Sequence, residues 1–238
     1  MKLFLPKQHG AWAMLTVPFL LGMVAGGFDW LQLPLLIGWV ALYLATYPLI
    51  LAVKKKKIRF HMIWFFRYFI VAVIFALPVL IVEPFLLLIA LMMVPFFIIN
   101  LWFGKRNKDR SLMNDFAAIT AFGISGLASY YLGAGFIDEL AWSVFVLAIL
   151  FFYGSAFFVK TMIREKKNPA FRWISWGYHV IVVGLFVATG AWMVTLAFIP
   201  SLARAIYLYG RQLKPMQIGI LEIGNSLFFF VILSVGFF

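Results

Sequence analysis

HMIWFFRYFIVAVIFALPVLIV, residues 61–82, and PFLLLIALMMVPFFIINLWF, residues 84–103, are the two stretches that decide the class of this protein. Glu83 separates them, and within them only His61 and Arg67 can carry a charge. An α-helix rises about 1.5 Å per residue, so about 20 apolar residues cross the roughly 30 Å hydrocarbon core of a bilayer. Each stretch therefore predicts a membrane-spanning helix, with a turn at Glu83.

The rest of the chain repeats this pattern, and its composition excludes a soluble protein. Of the 238 residues, 65% are hydrophobic and 12% are charged, and the mean hydropathy is +1.03. A soluble domain needs about 25% charged residues to cover its surface. The chain is also too apolar to be disordered, and it has no Cys for a disulfide framework. We predict an all-α polytopic transmembrane bundle, a single transmembrane domain over residues 1–238, with nine spans at about residues 11–27, 31–53, 61–82, 84–103, 112–132, 139–160, 172–188, 190–209 and 216–236.

The loops between these spans are of two kinds, which alternate along the chain. Short acidic turns contain Asp29, Glu83 or Asp138, whereas basic segments include residues 54–59 and 105–110. Lysine and arginine accumulate in cytoplasmic loops. Placing the N-terminus in the cytoplasm puts all 20 Lys and Arg on or near that side. We therefore predict an N-inside, C-outside orientation, and we attribute the net charge of +12 to orientation rather than to nucleic-acid binding.

Small residues predict close contacts between helices. Gly22 and Gly26 have the spacing of a helix-packing motif. Span five contains a run of small residues, Gly123, Ser125, Gly126, Ala128 and Ser129. The boundary between spans seven and eight is placed at Thr189-Gly190, where no charged residue marks a turn.

Several polar residues are not explained by the membrane, because ionisable groups inside hydrocarbon are expensive and by default indicate a site. They share one location, the predicted cytoplasmic half of the spans, and they are Arg67, Asn100, Arg110, Asn114, Asp115, Ser175, His179, Arg204, Glu222 and Asn225. Together they predict a net-cationic polar cavity open to the cytoplasm. Such a cavity suits an amphiphile with an anionic head and a long apolar tail, or a small anion.

A second interpretation remains open for each of these residues taken singly. A lone polar side chain in a membrane helix often forms a hydrogen bond to a neighbouring helix. Arg67 is close enough to the cytoplasmic boundary to extend its charge into water. At the start of span five, Ser111 can cap the helix and Asn114 can bond to the backbone, although neither role accounts for Asp115.

The segment before span one adds a further candidate cluster. Lys7, Gln8 and His9 are polar side chains in succession, and Gly10 allows the backbone to approach a ligand closely. We predict that these three side chains lie at the mouth of the cavity, where Lys7 and Gln8 bind substrate and His9 carries a proton. The alternative is a basic anchor that flanks the membrane, with Trp12 at the interface.

The run Pro6-Lys7-Gln8-His9-Gly10-Ala11-Trp12-Ala13-Met14, together with Arg110–Asp115 and Tyr178-His179, resembles the YwiC-like family of bacterial integral membrane proteins. The resemblance covers the whole chain. It implies a multi-pass protein of the bacterial cytoplasmic membrane, and it implies no particular reaction.

A more distant similarity is to UbiA-type prenyltransferases, which also have nine helices, a cytoplasmic N-terminus and a cytoplasm-facing cavity. Those enzymes hold a prenyl diphosphate through magnesium and two Asp-rich motifs, after spans two and six. Here residues 54–59 follow span two without an Asp, and the loop after span six offers only Glu165. The cofactor is therefore left open between magnesium and none. Three His and no Cys predict no dedicated zinc site.

Three functions follow from these residues. The first is a membrane-embedded, UbiA-like transferase for an isoprenoid or phospholipid amphiphile, with Arg110 and Arg204 on the head group and His9, His179 or Asp115 in catalysis. The second is a transporter of a small anion, and the third is an accessory protein without catalysis. A transporter usually needs polar groups across the full bilayer depth and often two related halves. The predicted outer half is apolar and no repeat is present, which favours the transferase over the transporter.

Overall fold

The computed structural model describes residues 4–6, 10–55 and 57–238. This part of the chain contains nine α-helices and no strand. They are α1 (Ala11–Gly26), α2 (Gln32–Val53), α3 (Ile58–Val82), α4 (Leu86–Lys105), α5 (Leu112–Ala134), α6 (Glu139–Ile163), α7 (Pro169–Ala188), α8 (Trp192–Tyr207) and α9 (Pro215–Gly236). The prediction of an all-α polytopic bundle is confirmed.

Seven of these helices, α2 to α7 and α9, are long and apolar enough to cross a membrane. The other two, α1 and α8, have 16 residues each. At about 1.5 Å per residue they are roughly 24 Å long, which is shorter than the hydrocarbon core. Each of the two contains a proline, Pro18 in α1 and Pro200 in α8.

The helix ends differ from the predicted spans where local capping, rather than hydropathy, decides them. The break at Gly190 is present, and its φ of +72° is a conformation that glycine adopts at little cost. Helix α7 begins earlier than predicted because the Asn168 side chain accepts a hydrogen bond from the Phe171 N–H at 3.3 Å and Pro169 follows it. Helix α6 continues to Ile163, so that Lys160 lies inside a helix and is buried.

The chain divides into two compact units, the first formed mainly by Pro18–Phe145 and the second mainly by Val146–Phe238. The chain before Pro18 is shared between them. Each unit has its own packing and its own buried polar groups, and each is described separately below.

In the first unit, α2 packs along α3, and α4 packs along α5. Glycines allow the C-terminal part of α1, from Pro18 onward, to lie directly on α5. A Cβ atom on Gly22 would stand 2.1 Å from the carbonyl oxygen of Gly126, and one on Gly26 would stand 2.4 Å from that of Tyr130. The two small-residue motifs predicted from the sequence therefore face each other.

The turn between α1 and α2 is held by a buried amide. Gln32 is fully buried, and its Nε2 donates to the carbonyl oxygens of Gly27 at 2.9 Å and Ser129 at 2.8 Å. Its Oε1 accepts from the backbone N–H of Asp29 at 2.9 Å. Because every polar atom of the side chain has a partner, the amide joins the turn to α5 without leaving an unsatisfied group.

In the second unit, α8 packs against α7 and α9. One end of its core is a cluster of phenylalanine rings, in which Phe151 of α6 stacks on Phe229 of α9 with centroids 3.9 Å apart, and Phe198 of α8 contacts both. Further along the same helices lies a second apolar cluster, formed by Phe158, Met162, Ala205 and Ile218. Several buried polar residues lie between these two clusters along the helices, namely Ser155, Ser201, Arg204, Glu222 and Asn225.

Candidate functional site

A set of buried polar side chains lies inside the second unit, and we call it the Arg204 cluster. It takes side chains from four helices, and its members are Ser155 of α6, His179 of α7, Ser201 and Arg204 of α8, and Glu222 and Asn225 of α9. Each member is less than 10% exposed. The offsets from Ser201 to Arg204 and from Glu222 to Asn225 are three residues, which puts each pair on one helix face.

Arg204 and Glu222 form an ion pair in which both side chains are buried. The guanidinium Nη2 also donates to the Ser155 hydroxyl at 3.2 Å, and its carbon lies 4.6 Å above the ring of Phe158. The Nε of Arg204 is buried and has no hydrogen-bond partner among the described residues. Besides the ion pair with Glu222 and the bond to Ser155, Arg204 therefore has a buried Nε–H donor whose acceptor is not among these residues.

His179 presents a basic nitrogen to the interior of the unit. Its Nδ1 is 2.7 Å from the carbonyl oxygen of Ser175, one turn earlier in α7. A carbonyl oxygen only accepts, so the neutral imidazole carries its proton on Nδ1 and the lone pair on Nε2. This Nε2 is buried and has no partner among the described residues.

Gly154 makes room for the His179 ring against α6. A Cβ at this position would stand 3.0 Å from Nε2 of His179 and 3.3 Å from the ring of Tyr178. Ser155, the next residue, accepts from Arg204. The same point of α6 thus contacts both the imidazole and the guanidinium.

Replacing Gly154 by alanine is expected to push the imidazole away from α6. The Cβ contact of 3.0 Å is tighter than ordinary van der Waals contact, so one side chain must shift. Overpacking of this size costs about 1–3 kcal/mol. We expect a lower melting temperature and a changed ¹⁵N resonance of the His179 ring, both measured on protein in neutral lipid nanodiscs. Gly177→Ala is the matched control, because nothing lies within 4 Å of a Cβ there. Equal behaviour of the two variants would contradict the close contact.

Asn225 extends the cluster away from the ion pair. Its Nδ2 donates to the Ser201 hydroxyl at 2.9 Å, while its Oδ1 and the hydroxyl of Ser226 have no partner among the described residues. Buried polar groups without partners cost about 1–3 kcal/mol each, so a cluster with several of them is not explained by packing alone. Two surface cavities, of 490 Å³ and 190 Å³, lie elsewhere and include none of the cluster residues in their walls.

The predicted site residues of the first unit have other surroundings. Asn114 is held locally, since its N–H donates to Ser111 Oγ at 3.2 Å and its Nδ2 to the carbonyl of Asp109 at 2.9 Å. Asn100 donates to the carbonyl of Phe96, one turn earlier in α4, at 2.8 Å. Ser111 is therefore the N-cap of α5, as the second interpretation of this segment proposed.

The charged candidates of the first unit lie nearer its surface. Arg67 is exposed on α3, with its guanidinium 5.0 Å from the ring centre of Trp64. Arg110 is exposed and Asp115 is half-buried. The one predicted set of site residues is thus divided, with Arg67, Asn100, Arg110, Asn114 and Asp115 in the first unit and Ser175, His179, Arg204, Glu222 and Asn225 in the second. Lys7, Gln8 and His9 lie outside the described residues.

An ion pair closes the loop before α5. The Nζ of Lys54, at the end of α2, lies 2.7 Å from Asp109. Burial by itself raises the pKa of the Asp109 carboxyl, but the hydrogen bond and charge of Lys54 outweigh it and hold that pKa below its ordinary value. The pair links the α4–α5 loop to α2.

Replacing Asp109 by asparagine is expected to lower stability only slightly. The Asp109 side chain is 37% exposed, and ion pairs with solvent access are worth less than about 1 kcal/mol. A carboxyl whose pKa is depressed by folding stabilises the folded state above its unfolded pKa and loses this effect as the pH falls through its folded pKa. Melting temperatures of the wild type and of Asp109→Asn should therefore differ at pH 7 and converge below about pH 4. A difference that grows towards low pH would contradict this pairing.

Comparison with known proteins places the chain in a family. A family model described as YwiC-like protein matches residues 5–130. The uncharacterized protein YwiC of Bacillus subtilis (strain 168) is 45% identical over 235 residues, which cover 99% of this chain and 98% of that protein. The chain belongs to the YwiC-like family. An uncharacterized protein of Haemophilus influenzae is 39% identical over 235 residues, which cover 99% of both chains. No solved structure matches this YwiC-like protein significantly, so the similarity to UbiA-type prenyltransferases stays a prediction.

Three residues that contact Arg204 or His179 in this YwiC-like protein were not identified from the sequence. Ser155 and Gly154 lie within an apolar run of α6, and Phe158 is one of many phenylalanines. The one signal in the sequence is that Ser155 is a hydroxyl residue in an apolar run, five residues before Lys160, the first base of α6. Only the packing of α6 on α8 shows that this serine meets an arginine.

The acidic groups in the described part of this YwiC-like protein are not gathered into a shared metal site. Within residues 4–6, 10–55 and 57–238, no group of three or more His, Asp or Glu side chains could together hold a metal ion. Glu222, the carboxylate of the Arg204 cluster, is paired with the guanidinium.

Proposed function

We propose that this YwiC-like membrane protein binds the anionic head group of an amphiphile at the Arg204 cluster, with His179 as the proton acceptor. The proposal rests on two buried nitrogens that have no hydrogen-bond partner among the described residues, the Nε of Arg204 and the Nε2 of His179. One is a buried donor and the other a buried acceptor, and both side chains pack on α6 at residues 154–155. Ionisable groups with this environment in a membrane segment are functional by default.

A phosphate monoester matches these two groups chemically. Its ionised oxygen accepts from a guanidinium, and its remaining hydroxyl donates to an unprotonated imidazole nitrogen. An uncharged alcohol offers no strong acceptor to Arg204, and a quaternary ammonium group offers no acceptor at all. The chemistry of the cluster therefore favours an anionic, partly protonated head group.

Glu222 acts as the resident anion in this proposal. Arg204 is paired with it in the structure, and the incoming head group takes over part of that pairing. An exchange of one anion for another keeps the guanidinium compensated throughout, which avoids the several kcal/mol that an unpaired buried charge costs. The Arg204 guanidinium is then paired with an anion throughout binding and release.

The layers of the second unit favour a binding site over a through-going pathway. The phenylalanine cluster of Phe151, Phe198 and Phe229 lies on one side of the Arg204 cluster, and the apolar cluster containing Phe158 and Met162 lies on the other. A transporter needs polar groups that continue through the membrane. In the orientation predicted from the basic loops, the cluster lies in the cytoplasmic half of the bacterial cytoplasmic membrane, where a transferase of this architecture would hold its amphiphilic substrate.

The test uses the His179 ring as a local reporter. Protein labelled with ¹⁵N-histidine is placed in phosphatidylcholine nanodiscs and titrated with dodecyl phosphate, and the His179 signals are assigned with His179→Gln. We expect the Nε2 resonance to move on binding. Glu222→Gln removes the competing anion and should tighten binding about tenfold, which corresponds to about 1.4 kcal/mol.

Two further variants decide the outcome. Arg204→Met/Glu222→Leu replaces the ion pair by apolar side chains that a protein interior tolerates, and it should abolish the response of His179. Arg67→Gln removes an exposed cation of the first unit and should leave the response unchanged. If the wild type shows no response, or if the double variant responds like the wild type, the head-group site is refuted and the cluster serves only to join helices.

A further inference from the structure

A small pocket opens at the end of the second unit where α6 and α8 finish. Its volume is about 190 Å³, and its walls come from the end of α6 and the segment after it, and from the turn between α8 and α9. The residues that line it are Thr161, Met162, Lys166, Tyr209, Gly210, Arg211 and Gln212. Gly210 has a φ of +80°, a conformation that suits glycine and that turns the chain back over the pocket.

The walls of this pocket are cationic. Lys166 and Arg211 both line it, and no carboxylate does. The nearest acid in the sequence, Glu165, accepts a hydrogen bond from the Asn168 amide at 3.0 Å. The positive charge in the pocket is therefore not compensated by its own walls.

Aromatic rings hold the bases around the pocket in place. The Arg211 guanidinium lies 4.1 Å from the ring centre of Tyr207. A third base, Arg172, lies 5.0 Å from the ring of Tyr209, which is a pocket wall, and 5.2 Å from that of Trp176. Cation–π contacts of this kind orient a guanidinium without using its hydrogen-bond donors. The donors stay available for an anion.

The pocket is separate from the Arg204 cluster. Its floor includes Met162, which is 3% exposed and belongs to the apolar cluster with Phe158 and Ile218. That cluster lies between the pocket and the buried ion pair. A group bound in the pocket therefore does not reach Arg204, and its binding is independent of the proposed function.

We propose that this pocket binds a phosphate group. A compact, multiply charged anion can pair with the two bases and accept a hydrogen bond from the Gln212 amide. The small volume of the pocket admits a head group but not a whole lipid. Tyr and Trp are enriched at the membrane–water boundary, and the aromatic residues beside this pocket are typical of that level. The phosphate therefore belongs either to the head group of an anionic lipid or to a soluble phosphate compound.

The test uses Met162, a wall of the pocket, as its reporter. Protein with ¹³C-methyl methionine is placed in phosphatidylcholine nanodiscs, and the Met162 signal is assigned with Met162→Leu. One arm adds inorganic phosphate, and the other adds phosphatidic acid to the nanodiscs. We expect the Met162 signal to shift in at least one arm, and the arm that shifts identifies the source as free phosphate or lipid.

Charge variants distinguish specific binding in the pocket from general attraction of anions to a basic surface. Lys166→Gln/Arg211→Gln should weaken the response at least about tenfold, which corresponds to the loss of about 1.4 kcal/mol. Lys105→Gln/Arg106→Gln removes the same charge from the end of α4 and should leave the Met162 response unchanged. Equal losses in the two double variants, or no shift in either arm, would overturn the proposal. Arg204→Met/Glu222→Leu should retain the Met162 response, so that a failure of the head-group site is distinguishable from a failure of this one.

Discussion

Replacing Gly22 by alanine is expected to separate α1 from α5 and to destabilise the protein strongly. The new Cβ would stand 2.1 Å from the carbonyl oxygen of Gly126 and 3.0 Å from the backbone nitrogen of Tyr130. Both are backbone atoms of a helix, so neither can rotate away. The helices must move apart by more than about 1 Å, which removes packing along the whole contact and costs about 3 kcal/mol or more.

The measurement is the melting temperature of purified protein in neutral lipid nanodiscs. We expect Gly22→Ala to melt about 5–10 °C below the wild type, given the few degrees that each kcal/mol moves the midpoint of a chain of this size. Gly224→Ala is the control, since it is also inside a helix and nothing lies within 4 Å of its Cβ. That variant should melt at or slightly above the wild-type temperature because alanine favours helix more than glycine. Equal melting of the two variants would show that α1 does not lie on α5 through Gly22.

Replacing Arg204 alone by methionine is expected to cost more than replacing both members of its ion pair. The single variant leaves the Glu222 carboxylate buried without its partner, and breaking a buried pair in this way costs about 3–5 kcal/mol. Arg204→Met/Glu222→Leu removes both charges and their desolvation cost together. A well-packed apolar replacement of a buried pair is often neutral or stabilising.

Thermal unfolding of the two variants beside the wild type checks this order. The double variant should melt close to the wild type, and the single variant well below both. Arg67→Met provides a matched loss of one arginine at an exposed position and should change little. If the double variant is as unstable as the single one, the ion pair is not the main interaction of Arg204, and its bond to Ser155 or its contact with Phe158 carries the difference.

Hydropathy and loop chemistry predicted the helices of this protein well, because membrane spans follow from length and composition alone. The nine predicted spans correspond to nine helices in the described part of the chain, including the break at Gly190 that no charge marks. The ends were less accurate, since Asn168 caps α7 before its apolar run begins, and α6 continues past its first base. Helix ends depend on hydrogen bonds of single side chains, which hydropathy does not register.

Packing partners were predicted in part. The glycines of α1 and the small residues of α5 were each predicted to allow close contact, and they contact each other. A small-residue motif reports that a backbone can be approached, not which backbone approaches it. Gln32 was missed for the same reason, because its role depends on the Ser129 carbonyl of a helix that is distant along the chain.

For the candidate site, the sequence by itself determined which residues are costly in a membrane, among them His179, Arg204 and Glu222, because that cost depends only on residue type and depth. It also predicted the orientation of the chain, which depends on where the bases lie. Tertiary structure alone decided that Arg204 meets Glu222 and Ser155, that the His179 ring packs on Gly154, and that the Asn114 amide bonds within its own loop. A polar side chain in a helix shows the same pattern whether it binds a neighbouring helix, its own backbone or a ligand, and only the position of its partners distinguishes these.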